Sequence, residues 1–375
     1  MKPIKVLHVL EVEQEAHYFN NLVDFIPQDD VEFSFVTFSA DGPFTESMRK
    51  RGFHVYSLDA ATKTRLPKAA RELWKILKSE NPDVVHTHLF NPTFIGLLLA
   101  KFQGRKTVLT RHHSDALHIL PRGLKRHFYL GLERLNNRNA DHIVAPSKMV
   151  RECIVDWEKT PAKKVSLIPY GQTSERFNAI TSEIIKAKRV ELRMDGQLSL
   201  VCVSRLFHGK GHKYLFEALA PLIKDGLDTK LYLVGSGNYQ EALEQLARDL
   251  GIFDRIEFLG WRDDGLEIIG AADIVVHPSL EDALSQSLIE SLMLARPIIA
   301  TEISGASDTL DGGKYGRLVP PADSAAFRIA LEDTIEDLEA ARCRAADGRE
   351  YLLEYMDAGH AANAYLSIYR KLLVP

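Results

Sequence analysis

The sequence predicts an α/β protein built from two open parallel sheets in tandem, each wound by helices. Short runs rich in Val, Ile and Leu alternate with stretches of helical spacing, the pattern of a parallel sheet covered on both faces. The same plan occurs twice, before and after a charged, weakly apolar segment that starts near Pro169. In addition, 375 residues exceed what one hydrophobic core usually organises.

In the first half the strand candidates are "IKVLHVL", "VEFSFVTF", "FHVYSL", "PDVVHTH", "KTVLT", "DHIVAPS" and "VSLIPYG". In the second they are "LSLVCVS", "TKLYLVG", "RIEFLG", "DIVVHPS" and "PIIAT", alternating with helical candidates at 211–223, 238–250, 264–271, 285–295 and 324–338. Each run is β-branched and bounded by turn residues. Residues 1–178 are read as the first domain, joined by a terminal helix over about 355–375 whose apolar face carries Tyr365, Ile368, Tyr369 and Leu372. The second domain is 179–354, with 170–196 as the connection.

Composition narrows the class. A 45 % hydrophobic, 26 % charged chain is globular, and three scattered cysteines (Cys153, Cys202, Cys343) supply neither a disulfide framework nor a cysteine zinc site. The N-terminal "KVLHVL" is too short for a signal or membrane span, so a cytoplasmic protein is expected. Residues 1–178 hold 26 Lys+Arg against 20 Asp+Glu, net +6, which leaves −10 of the total −4 for the remainder. Positive potential on the first half suits an anionic acceptor or the anionic inner face of the cell membrane; solvated surface is the plainer account.

Open α/β sheets bind ligands beyond the carboxyl ends of their strands, here expected in a cleft between the domains. Arg205 and Lys210 in "VCVSRLFHGKGH" stand where a strand gives way to a glycine-bracketed turn and a helix, a place suited to a diphosphate. Gly235 and Gly237 follow "LYLV", where they serve a tight turn or admit a nucleotide. Asp282 and Glu290 lie eight residues apart in "EDALSQSLIE", with Ser285 and its neighbours offering backbone N–H groups between them. Trp261 and Arg262 follow the "RIEF" strand. His86 and His88 close "PDVVHTH", and His112 and His113 follow "KTVLT"; with Asp115 and His118 they admit a rival reading as a metal-dependent hydrolase.

Taken together, "SRLFHGKG", "DALSQSLIE", "SGASDTL" and "YGRLVPPAD" resemble the Arg-x4-Lys, Glu-x7-Glu, Gly-Gly-x-x-Glu and Gly-x-Leu-Val-x-Pro stretches of the family 4 glycosyltransferases, retaining enzymes of the GT-B fold. "DVVHTH", "TVLTRHH", "ADHIVAPS" and "IPYGQTSERF" match family landmarks in the first half. The resemblance implies a nucleoside-diphosphate sugar donor, UDP- or GDP-linked, and a carbohydrate or lipid-linked acceptor, with no nucleic acid partner. It implies that Arg205 and Lys210 hold the diphosphate, Asp282 contacts sugar hydroxyls, Glu290 the ribose, Trp261 and Arg262 the base, and that His112 lines the reaction centre. No metal is expected: the sequence contains no Asp-x-Asp, and fixed cations take that role. A non-catalytic nucleotide-sugar binder is the second alternative.

The chain departs from the pattern in three places. Asp282 replaces the first glutamate, with Glu281 beside it as a competing register; Ser304 and Asp308 replace a glycine and a glutamate. The loop after the first strand, "LEVEQEAHYFNN", has Glu11, Glu13 and Glu15 and no glycine, so it is assigned to the acceptor. Finally, Leu120, Leu124, Phe128, Leu132 and Leu135 share one helical face, with Arg122, Lys125, Arg126, Arg134 and Arg138 around it. Core packing against the first sheet is the simplest expectation for that stripe; peripheral contact with anionic lipid is the other.

Overall fold

The computed structural model describes residues 2–374 apart from Glu15, Ala61, residues 113–122 and Ala283. His113, Asp115, His118, Leu120 and Arg122 therefore lie outside the described residues. The chain forms two compact units, Met1–Gln172 with Met356–Pro375, and Thr173–Tyr355.

Among the described residues the first unit holds seven strands: β1 (Ile4–Leu10), β2 (Val31–Thr37), β3 (His54–Ser57), β4 (Val84–His88), β5 (Lys106–Thr110), β6 (His142–Ala145) and β7 (Val165–Leu167). All pairings are parallel, in the order β3-β2-β1-β4-β5-β6-β7. The twofold period of a strand sends alternate residues to opposite faces, so β1 contributes Val6 and Leu10 to one core and Leu7 and Val9 to the other. His8, His86 and His88 fall on the Val6 face.

That face is covered by helices His17–Phe25 and Ala358–Leu373. The latter is the expected terminal helix, and it returns to the first unit, burying Tyr365, Leu366, Ile368 and Tyr369 against β1 and β4 residues. Its entry is fixed by backbone hydrogen bonds from Gln172 N to Met356 O (2.6 Å) and from Ala358 N to Gln172 O (3.1 Å). A side chain at Gly171 would meet the Ala358 Cα at 2.7 Å, so only glycine permits this approach.

The second unit repeats the plan with β8 (Leu198–Val203), β9 (Thr229–Val234), β10 (Ile256–Gly260), β11 (Ile274–His277), β12 (Ile298–Thr301) and β13 (Arg317–Val319), again parallel, in the order β10-β9-β8-β11-β12-β13. Leu200, Cys202, Leu231, Leu233, Ile274 and Val276 meet Phe216, Leu219 and Phe327 from covering helices. In each sheet the winding direction reverses, between β1 and β4 and between β8 and β11. Helices leave opposite faces at that point and open a crevice at the strand ends.

Two expectations are corrected. The segment after Thr173 is an integral part of the second unit: helix Ser182–Glu191 packs on helix Gly265–Ala271, with Ile180 and Ile185 touching the space above Gly270. Its charged face is held by Lys188, which pairs with Asp264 (2.5 Å), Glu191 (2.6 Å) and Glu267 (3.1 Å). The apolar stripe on helix Leu124–Asn139 does not enter the core. Leu124 is 92 %, Phe128 64 % and Leu135 39 % exposed, while Glu133, Asn136 and Asn137 are buried. The cause is Arg111, buried after β5 and tied bidentately to Glu158 (2.9 and 2.8 Å) and to Glu133 (3.3 Å). Asn137 donates to the same Glu158 carboxylate (2.6 Å). A buried guanidinium needs its carboxylates, and meeting that need rolls the polar face inward.

Candidate functional site

In the second unit the candidate residues gather at the reversal point. The turn after β8 carries Arg205 and Lys210; the loop after β11 carries Asp282. Lys210 Nζ donates to Asp282 Oδ2 at 2.5 Å, and both side chains are half-buried. The turn is seated by glycine: at Gly211, with φ +66°, a Cβ would lie 2.0 Å from Pro278 O, and Leu280 N donates to Gly209 O (2.9 Å). Arg205 is exposed, its guanidinium 5.1 Å above the Phe207 ring, with no carboxylate partner among the described residues. One cation is thus tethered and the other is open to an anion.

Gly235 and Gly237 are required by backbone approach. A Cβ on Gly235 would lie 2.1 Å from Ser204 O, and one on Gly237 2.0 Å from Leu206 O. The same approach is sealed by hydrogen bonds from Ser204 N to Val234 O and from Leu206 N to Ser236 O, both 3.0 Å. These glycines bring the turn after β9 onto the Arg205 turn.

Glu290, on helix Gln286–Met293, accepts from Arg176 Nη2 at 2.5 Å and from Gln286 Nε2 at 3.3 Å. Ser285 precedes this helix, buried, with its hydroxyl 3.1 Å from that of Ser287. Trp261 is 69 % exposed and donates to Asp263 (3.1 Å). Arg262 is engaged elsewhere, with Asp264 (2.8 and 2.6 Å) and Glu191 (2.8 Å), in the network around Lys188.

Sequence reasoning missed Arg176, which lies 114 residues from its partner, and the histidines behind Lys210. His277, the last residue of β11, is buried with Nε2 lacking a hydrogen-bond partner among the described residues and 3.9 Å from Asp282 Oδ2. Burial holds its pKa down to about 4 despite the nearby Asp282. His212 is likewise held down to about 4 by burial and shares a hydrogen bond with Ser204 Oγ (3.1 Å). Both are therefore neutral, and the charge at this point is that of Arg205, Lys210 and Asp282. A histidine closing an apolar strand was the available signal.

In the first unit His112 is half-buried two residues beyond β5. Its Nε2 is 3.0 Å from His88 Nδ1 and its Nδ1 2.6 Å from the Tyr170 hydroxyl. His88 Nε2 is in turn 2.9 Å from His8 Nδ1. His86 uses both nitrogens, on Tyr369 Oη and Thr110 Oγ1, at 2.8 Å each. Nitrogens of His8, His86 and His88 lie within 4.8 Å of one another. The His86 and His88 rings, however, are stacked at 4.3 Å with 29° between planes, and both nitrogens of each are already in hydrogen bonds with neighbours. The residues present do not fit a metal centre, and the hydrolase alternative loses its footing. In the loop after β1, Glu13 O accepts from Phe44 N (3.1 Å), and Gly42 provides the close approach that the loop's own sequence does not.

This two-sheet arrangement is the GT-B fold. Superposition on Anabaena HepE in complex with UDP and glucose gives a TM-score of 0.82 at 20 % identity, covering 98 % of this chain and all of that one. Residues 16–176 match the family described as Glycosyltransferase Family 4, and residues 197–337 the one described as Glycosyl transferases group 1. The chain belongs to these family 4, group 1 glycosyltransferases. Among curated relatives, the Escherichia coli UDP-Gal:alpha-D-GlcNAc-diphosphoundecaprenol alpha-1,3-galactosyltransferase is 27 % identical over 285 residues, 74 % of this chain and 73 % of that protein. The 2-deoxystreptamine glucosyltransferase of Streptomyces kanamyceticus is 23 % identical over 318 residues, 82 % of each.

Proposed function

We propose that this glycosyltransferase moves a sugar from a UDP-linked donor to an acceptor hydroxyl, with retention of anomeric configuration and without a divalent metal. The observation that carries the reading is the pair of cationic side chains, Arg205 and Lys210, on one glycine-seated turn at the reversal point of the second sheet. As the anomeric C–O bond breaks, negative charge grows on the departing β-phosphate, and preorganised cations stabilise it there. Arg205 holds the diphosphate as an open fork. Lys210 is aimed by Asp282, and Asp282 is assigned to the sugar hydroxyls.

Glu290, oriented by Arg176, binds the ribose; Trp261 covers the base, and the backbone at Ser285, Gly235 and Gly237 lines the nucleotide. Arg262 then acts by positioning the Trp261 turn through Asp264. Retention is assigned by front-face attack, in which the leaving phosphate takes the acceptor proton. Uridine is preferred to guanosine because one relative is a UDP-Gal enzyme and HepE has been seen in complex with UDP.

The acceptor is assigned to the strand ends of the first unit, with His112. We further propose that it is lipid-linked, as the name of the Escherichia coli relative states for that protein. Exposed Leu124, Phe128 and Leu135, on a helix with Arg126, Arg134 and Arg138, form a surface suited to an anionic bilayer. Among the described residues no helix is long and apolar enough to cross a membrane, so this face is the point of contact proposed.

Thermal shift against UDP- and GDP-sugars, followed by release of nucleoside diphosphate in chelator, tests the core of this reading. UDP-sugar stabilisation and turnover undiminished by chelator are expected. Tight binding without any release would favour the non-catalytic alternative, and an inverted product anomer by NMR would overturn retention.

A further inference from the structure

Three guanidiniums converge at the amino ends of β11 and β12, the opposite end of the second sheet from Arg205, Lys210 and Asp282. Asp273 stands just before β11, fixed by hydrogen bonds from Ser199 N to its Oδ2 and from its own N to Ser199 O, both 3.0 Å. Arg189 Nη1, from helix Ser182–Glu191, lies 3.5 Å from Asp273 Oδ1. Arg342 Nη2, from helix Leu338–Tyr355, lies 3.6 Å from the same oxygen. Arg296 joins them two residues before β12: its Nη1 donates to Ala272 O (3.4 Å), next to Asp273, and its Nε to Leu294 O (3.0 Å). The turn before it is tight, with Ala295 in the left-handed conformation (φ +51°) and Arg296 N donating back to Ser291 O (3.0 Å).

The charges do not balance at Arg296. Arg189 has the exposed Asp195 as a further partner (2.8 Å), and Arg342 has the exposed Glu339 (3.6 Å). Arg296 is half-buried and pairs with no carboxylate among the described residues. Its two carbonyl partners cap helices Gly265–Ala271 and Gln286–Met293, and a helix end offers only about half a negative charge. Burial, then Arg342, hold the pKa of Arg296 below the ordinary guanidinium value, with Arg189 adding to them and Asp273 opposing. Arg111, in the first unit, is met by two carboxylates, as a buried guanidinium requires. Arg296 has no such pair, its Nη2 makes no hydrogen bond among the described residues, and the Arg342 fork has only ion pairs at 3.6 Å.

We propose that Arg296 and Arg342, with Arg189 and Asp273 holding them in place, bind the phosphate group of a phosphomonoester at this end of the second sheet. Such a group carries about two negative charges near pH 7.5 and presents three acceptor oxygens, enough for Arg296 Nη2 and the Arg342 fork together. A carboxylate has about half that charge and suits a single guanidinium. The site is separate from the diphosphate seat, which lies at the carboxyl ends of the same strands.

Calorimetric titration of the full-length protein with inorganic phosphate, at pH 7.5 and fixed ionic strength, tests the assignment; the Arg205→Met variant is used so that the diphosphate seat does not answer for it. Saturable binding is expected, weakened about tenfold or more when Arg342→Gln is added. Arg342 is exposed, so its replacement leaves the fold intact. Absence of saturable binding, or equal affinity with and without Arg342→Gln, overturns the site. Lys186→Gln removes an exposed charge from the helix that carries Arg189 and should leave the affinity unchanged. An equal loss there would reduce the effect to general charge and overturn the site as well. Cosedimentation with phosphatidylcholine vesicles carrying phosphatidic acid separates the sources of the phosphate group: weaker binding by Arg342→Gln assigns the site to a lipid headgroup, and unchanged binding assigns it to a soluble ester. Neither arm requires turnover, so both stand apart from the transferase reading.

Discussion

Lys210 Nζ lies 2.5 Å from Asp282 Oδ2, joining the turn after β8 to the loop after β11 across 72 residues of sequence. Asp282, and not Glu281, is the carboxylate that Lys210 meets.

Lys210→Met and Arg205→Met should each lower kcat by about 10²–10³, the usual effect of removing one preorganised charge from a transition state. Asp282→Asn should cost more turnover than Glu281→Gln in the same steady-state assay. The reverse ranking would move the motif by one residue.

Arg176→Gln removes the hydrogen-bonded cation from Glu290. Donor KM is expected to rise about tenfold, as a charge-assisted hydrogen bond is worth about 1.5–3 kcal/mol, with kcat little changed. Titration calorimetry with nucleoside diphosphate gives the same comparison without turnover.

Arg111→Met removes the buried guanidinium that Glu133 and Glu158 share. A loss of about 3–5 kcal/mol is expected by chemical denaturation. A change below about 1 kcal/mol would mean the cluster is dispensable.

The buried histidines make the fold acid-sensitive. His8 is held down to about 3, His212 and His277 to about 4, and His86 and His88 well below the ordinary value, all chiefly by burial. The unfolded chain binds these protons near pH 6.5 and the folded one does not. Stability is therefore complete above about pH 6.5 and falls as pH drops toward 4. Each histidine contributes a slope of up to about 1.4 kcal/mol per pH unit. Urea midpoints at pH 7.5 and 5.5 measure this, and equal midpoints would refute it.

Leu124→Glu with Phe128→Glu alters only exposed side chains. Cosedimentation with anionic vesicles should be lost while the melting temperature stays within a few degrees. Absence of binding by the unmodified protein would remove the membrane reading.

The strands were legible because a parallel sheet buries both faces, and nothing but an apolar run satisfies that. The Arg205 and Lys210 turn was legible because its spacing is local. The helix at 124–139 was misread for the opposite reason. A leucine stripe normally marks the core side, but here an ion cluster gathered from Arg111, Glu133 and Glu158 decides which face turns inward. Arg176 meeting Glu290, and His8 meeting His88, are likewise tertiary pairings that no local pattern announces. His8 read only as a polar interruption in "KVLHVL".

The return of the last helix has a consequence for how the protein is made. On the ribosome, Thr173–Tyr355 is one uninterrupted stretch and can condense as soon as it emerges. The first seven strands cannot close over Val6, Leu10 and His86 until Tyr365 and Tyr369 arrive. The earliest-synthesised sheet is thus the last to be finished, and nascent chains cut short of Met356 should stay bound to chaperones with that apolar face uncovered.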